Sequence, residues 1–246
     1  MTPAATPPIR ALLLDIEGVT TSIEFVHDTL FPYARARLAG YLEQHSGEKA
    51  CLADMERLRQ EHASDAEAQR PGWRDDSPQA TLRSAAAYLD WLMEHDRKST
   101  ALKSIQGKIW QAGYHSGELR SHVYADVPPA LERWRRAGIA ISIYSSGSIL
   151  AQKLLFAHTA AGDLCPFIHA YFDTTTGPKT VAESYCKIAS ALHLPPAAIL
   201  FVSDTARELD AARSAGLQTR LCDRTAASLK SPGDQEKVAV LDEVLP

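Results

Sequence analysis

The sequence has little that would tie it to an oxidising compartment, a membrane or a nucleic acid. Its four cysteines, Cys51, Cys165, Cys186 and Cys222, form no CxxC pair, which fits reduced thiols and argues against a disulfide frame or a zinc ribbon. Near the N-terminus only Ala11 to Leu14 run together before the charge of Asp15, far short of a signal-peptide core or a membrane span. A cytoplasmic location is therefore expected. Positive charge is not in excess: 26 Lys and Arg face 30 Asp and Glu for a net charge of -4, and neither nucleic acid nor an anionic membrane has a reason to bind. The basic run Arg133, Arg135, Arg136 reads as a solvated helix face. Internal repeats and low-complexity tracts are also missing. What remains is an ordinary globular composition, 45% hydrophobic and 23% charged over 246 residues, enough for a sizeable core in one domain or in a main domain carrying an inserted one.

Short apolar runs recur at Ile9–Leu14, Ile139–Tyr144, Phe167–Phe172, Ile199–Val202 and Leu217–Leu221, as in strands buried on both faces of a parallel sheet. Segments with helical spacing separate them, which predicts an open α/β sheet of Rossmann-like type. Between the first two strands lie more than a hundred residues of different character, rich in Ala, Glu, Arg, Leu and Gln. There Phe31–Tyr41, Leu52–His62, Thr81–Met93 and Leu102–Trp110 each carry apolar residues at three-and-four spacing. The expectation is a bundle of about four helices inserted after the first strand, since so long a loop without structure is improbable. The boundaries read as residues 1–21 and 123–246 for the α/β core and 22–122 for the helical insertion. A helix over Ala130–Ala137 follows, closed by Gly138.

In such a sheet, ligands bind beyond the carboxyl ends of the strands. The residues there are Asp15 and Glu17 after the first strand, Ser145 and Ser146 after the second, Lys179 beyond the third and Asp204 after the fourth. Three carboxylates at one place repel one another unless a cation neutralises them. Magnesium suits this set, because it prefers hard oxygen donors and takes few protein carboxylates. A phosphoryl group would meet Lys179, the Ser145 hydroxyl and the amides around Gly147 at the start of a helix over Ile149–His158. Asp15 is then placed to attack phosphorus as a nucleophile, and Glu17 to act as general acid and base. Each residue also has a plainer reading: DxE as a polar turn, Ser145 or Ser146 as a helix cap, Lys179 as a surface charge, Ser203–Glu208 as a capping box. Their placement after four successive strands favours the chemical reading.

The segments DIEGV at Asp15–Val19, YSSGS at Tyr144–Ser148, GPK at Gly177–Lys179 and SDTARELD at Ser203–Asp210 resemble the four ordered motifs of the haloacid dehalogenase superfamily. DIEGVTTSIEFVHDTLFPYARARL, GYHSGELRSHVYADVPPALERW and FDTTTGPK narrow the likeness to its methionine-salvage enolase-phosphatase family. The resemblance implies a helical cap domain and a phosphorylated small-molecule substrate, 2,3-diketo-5-methylthiopentyl 1-phosphate. It also implies magnesium held by Asp15, Glu17 through its backbone carbonyl, and Asp204. Ser145, Ser146 and Lys179 would bind the substrate, and the chain would be a monomer. Phe25, His27, Phe31, Tyr33 and Trp110 could line the cap, although aromatic residues in helices are more often core. One departure stands out: Val19 occupies a position where the superfamily usually has threonine, so a hydroxyl supporting the loop is either lost or supplied by a neighbour. Rival readings are a capped phosphatase for another phosphate ester and a non-catalytic binding protein; a dehalogenase does not need Glu17 and Asp204.

Overall fold

The computed structural model describes residues 7–225 and 237–245. By its contacts the chain divides into two compact units, one of residues up to Phe25 and from Arg120 on, the other of Val26–Leu119.

The first unit is built on a six-stranded sheet of β1 (Ala11–Leu14), β2 (Ala140–Tyr144), β3 (Ala170–Phe172), β4 (Ile199–Ser203), β5 (Gln218–Cys222) and β6 (Lys237–Val238). The order is β3-β2-β1-β4-β5-β6, and every pairing is parallel. The first five strands stand where the apolar runs predict them. β6, only two residues long, has no run to announce it.

Alternation along each strand feeds two cores, one per face of the sheet. Leu12, Leu14, Ile141, Ile143, Leu200 and Val202 share one with Leu131, Trp134 and Phe156. Ala11, Leu13, Ile199 and Phe201 share the other with Tyr185, Ile188 and Leu209. Every residue of β1 is wholly buried, as the centre of a covered parallel sheet requires. The helices on these faces are α5 (Val127–Arg136), α6 (Ile149–Ala157), α7 (Ala182–Ala191) and α8 (Ala206–Ser214). Gly138, at φ +73°, terminates α5 in the left-handed conformation that glycine adopts without a Cβ penalty.

The second unit holds four helices, α1 (Phe31–His45), α2 (Lys49–Ser64), α3 (Pro78–Glu94) and α4 (Thr100–Ser116), after a wide π-helical turn over Phe25–Leu30. Ser77 and Ser99 cap α3 and α4 by accepting the amides of Ala80 and Leu102 at 3.2 and 2.9 Å. Apolar stripes such as Leu38 and Leu42, Met55 and Leu58, Leu89 and Leu92, and Ile105 and Ile109 are buried. Trp110 belongs to this core: its indole donates to the Leu30 carbonyl at 2.9 Å and its ring meets Phe31. The Tyr33 hydroxyl donates to Glu118 at 2.9 Å, and Arg37 stacks on its ring. No helix among the described residues is long and apolar enough to cross a membrane.

Candidate active site

Strand order reverses at β1, which lies between β2 and β4 with connections leaving on either side. Leu14 pairs with Ile143 and with Val202, so Asp15, Tyr144 and Ser203 come level at the carboxyl edge. The Asp15 amide extends the ladder by one bond, to the Val202 carbonyl at 3.0 Å. This is the crevice in which open α/β sheets bind ligands.

Asp15 is buried, and both of its oxygens are occupied. Oδ1 accepts the Ile16 amide at 2.8 Å. Oδ2 lies 2.6 Å from Lys179 Nζ and 3.1 Å from the Ser203 hydroxyl. Lys179 Nζ also stands 2.6 Å from Glu208 Oε2. Burial lowers the Lys179 pKa, but Asp15 and Glu208 outweigh it and the net shift is upward, so the amine stays charged. Glu208 is pushed up to about 7, by burial first and by the charge of Asp15 second, against the pull of Lys179 and Ser203. The single Ser203 proton can go to Asp15 or, at 3.0 Å, to Glu208, but not to both at once.

Glu208 has no role of its own from the sequence, although it lies inside the SDTARELD segment, whose plainer reading is a capping box. The structure replaces that box: Thr205 is the N-cap of α8, and Glu208, one turn along, turns its carboxylate to Lys179. Its four-residue spacing from Asp204 is the signal that marks it.

After Leu14 the chain bends at Ile16 and closes a tight turn. The Ile16 carbonyl accepts the amides of Thr20 and Thr21, each at 2.9 Å, and Gly18 donates to Thr21 at 2.9 Å. Glu17 is half-buried in this turn, so the simple alternation of an extended strand does not reach from Asp15 to Glu17. Val19 points into the core and is fully buried. The hydroxyl that a threonine would bring there comes instead from Thr20, which reaches the carbonyls of Asp15 and Ile16 at 3.3 and 3.2 Å.

Asp204 leans onto the same turn. Its Oδ2 lies so close to Gly18 that a Cβ there would collide with it, and Gly18 holds φ +70°. The Asp204 carboxyl is raised above the usual range by the protein packed about it and, further down, by the charge of Asp15, while Thr205 and Lys179 offset part of this. A divalent cation would remove that repulsion, so these acids fit one. Among the described residues no group of three or more His, Cys, Asp or Glu is arranged to hold an ion. Asp15 and Asp204 are the two carboxylates that could hold an ion here, and Asp204 feels the charge of Asp15. Magnesium accepts such a sparse set and completes its shell with water and phosphate oxygens.

Ser145, buried at the end of β2, donates its amide to the Phe172 carbonyl at 3.2 Å, and its Oγ accepts the Gly147 amide at 3.2 Å. Ser146, next to it, is exposed. Neither caps α6: Ser148 does, accepting the Ala151 amide at 3.3 Å. Buried Gln152 braces the loop by donating to Gly147 and Phe172 carbonyls at 2.8 and 2.9 Å. Asp173, at the end of β3, accepts the amide and hydroxyl of Thr175 at 2.8 and 2.6 Å. The structure thus joins Asp15 directly to Lys179 and brings Asp204 over the turn that carries Glu17; the serines form a neighbouring loop.

The family model described as haloacid dehalogenase-like hydrolase matches residues 9–216. A protein of Synechococcus elongatus named Enolase-phosphatase E1 is 50% identical over 96% of this chain and 98% of its own length. Its namesake from Sorangium cellulosum is 50% identical over 86% of this chain and 87% of that one. The one from Pseudomonas aeruginosa is 45% identical over 90% and 92%. Among solved structures, the UTR4 protein of Saccharomyces cerevisiae superposes with a TM-score of 0.74 at 32% identity, covering 94% of this chain and 97% of that one. A dehalogenase at 19% identity and a TM-score of 0.53, over 96% and 95% of the two chains, shares the fold alone.

Proposed function

Because this chain belongs to the haloacid dehalogenase-like hydrolases, and within them to the enolase-phosphatases, we propose how its own residues perform the two reactions. The protein is an enolase-phosphatase of methionine salvage. Its substrate is 2,3-diketo-5-methylthiopentyl 1-phosphate, and its products are the acireductone 1,2-dihydroxy-3-keto-5-methylthiopentene and phosphate. Enolisation moves a proton from carbon to carbonyl oxygen and leaves the ester intact. Dephosphorylation follows.

The observation that carries this reading is the clasp of Lys179 on the Asp15 carboxylate, 2.6 Å apart at the switch point of the sheet. In the second reaction an Asp15 oxygen attacks phosphorus in line and the bond to the enol oxygen breaks, leaving an aspartyl-phosphate. Glu17 gives its proton to the departing oxygen. It then takes one from the water that attacks the aspartyl-phosphate, and phosphate and free Asp15 are restored. Lys179 and the Ser145–Ser146 loop hold the phosphoryl oxygens, the amine as a point charge and the loop through hydroxyls and amides. Magnesium, held by Asp15, Asp204 and the Glu17 carbonyl, supplies neutralisation of negative charge when bound. We read the enzyme as a cytoplasmic monomer.

A time course with the diketo phosphate and magnesium tests this, following the enol by ultraviolet absorbance and phosphate by colorimetry. Wild type should give the enol first and phosphate second, while Asp15→Asn should release no phosphate. Phosphate release by the mutant would remove Asp15 from its role, and a silent wild type would remove the substrate.

A further inference from the structure

Arg224 lies just beyond β5, 205 residues from Val19, and belongs to none of the four motifs. Its side chain is only 11% exposed. Nε donates to the Val19 carbonyl at 3.1 Å, and Nη2 donates to the same oxygen. Nη1 reaches Asp126 Oδ2 at 2.6 Å and the Ala239 carbonyl at 3.3 Å. The guanidinium lies over the Tyr124 ring, 4.2 Å from its centroid.

Asp126 alone would neutralise this buried charge. The two donors fixed on one peptide oxygen call for another explanation, since a rigid planar fork sets direction as well as charge. Val19 lies within the turn that follows Asp15 and closes at Thr21. The Ile16 carbonyl is held by amides within that turn, and the Thr20 carbonyl accepts the Tyr124 amide at 3.1 Å. The Val19 carbonyl is held from outside, by Arg224.

We infer that Arg224 is a positioning residue for phosphoryl transfer: by fixing the Val19 peptide it sets the turn that presents Asp15 and Glu17. The inference rests on the function proposed above. Its test compares Arg224→Lys with Asp126→Asn in the full-length magnesium enzyme, by kinetics, thermal melting and hydrogen exchange of the peptide spanning the Asp15–Thr21 turn. Arg224→Lys keeps a cation beside Asp126 but loses the two-pronged hold. It should cut kcat by about 10- to 100-fold with KM changed less than about 2-fold, and speed exchange in the turn. Asp126→Asn keeps the hold and should lower the melting temperature while leaving kcat within about 3-fold of wild type. Wild-type kcat and exchange in Arg224→Lys would overturn the inference, as would kcat losses that follow melting temperature alike in both variants. Should wild type not turn over the diketo phosphate, the functional reading fails separately, and exchange in the turn still decides the role of Arg224.

Discussion

Lys179 reaches Asp15 across 2.6 Å of protein interior, and each of the two side chains is only 7% exposed. A buried charge that loses its partner is costly, so this pair carries stability at the place where the chemistry is proposed.

Lys179→Met should therefore damage both. The carboxylates of Asp15 and Glu208 would be left without their cation, at a cost of about 3–5 kcal/mol, and the phosphoryl group would lose its point charge. Urea unfolding with initial rates of phosphate release measures both effects. A variant as stable as wild type would show that the acids find other compensation.

Glu208 predicts a pH dependence. Its folded carboxyl is raised from 4.5 to about 7, so between these values the folded chain holds a proton that the unfolded chain has released. Stability from this group is present below 4.5 and is lost as pH rises through about 7. Lys179, raised from 10.5, adds nothing to that window. Metal-free protein should weaken from pH 5 to 7.5 in denaturant titrations, and Glu208→Gln should flatten the decline. An equally steep decline in the variant would assign it to another group.

Asp204 predicts a metal response. With Asp15 and Asp204 repelling each other in the metal-free site, magnesium should raise the melting temperature, by about 2.7 kcal/mol of stability at a hundred times its dissociation constant. In Asp204→Asn the rise should shrink sharply, and a chelator should stop phosphate release in wild type. An undiminished rise in the variant would place the ion elsewhere.

Val19→Thr, which restores the usual superfamily residue, should not help. Thr20 already satisfies the turn, and the new hydroxyl would enter an apolar core where an unpaired polar group costs about 1–3 kcal/mol. Melting curves and kcat together check this; a faster or more stable variant would contradict it.

The first five strands and the four inserted helices were legible because each buried element leaves a period of apolar residues, and the residues at the sheet's carboxyl edge, such as Asp15, Ser145 and Asp204, because they follow strand ends. Two kinds of feature left no such trace. Glu208 sits inside a helix, where an acid is ordinary, and gains its meaning from a lysine of another strand's loop. Arg224 and β6 depend on contacts between distant segments: a lone arginine after a strand, or a two-residue strand, carries no pattern until the fold assembles around it. The Thr20 hydroxyl was open to reasoning only as one of two alternatives.

The position of β1 at the centre of the sheet means that both of its partners, β2 and β4, come later in the chain. Asp15 and Ser203 touch although they are 188 residues apart, so β1 leaves the ribosome long before either of its neighbours exists. The contiguous segment Val26–Leu119 is complete earlier and draws on local helical contacts, which form fast. It is expected to fold first, while a short apolar strand waits unpaired. Asp15 thus precedes in the chain both of the strands that flank it in the sheet, and it finds its place only once they have been made.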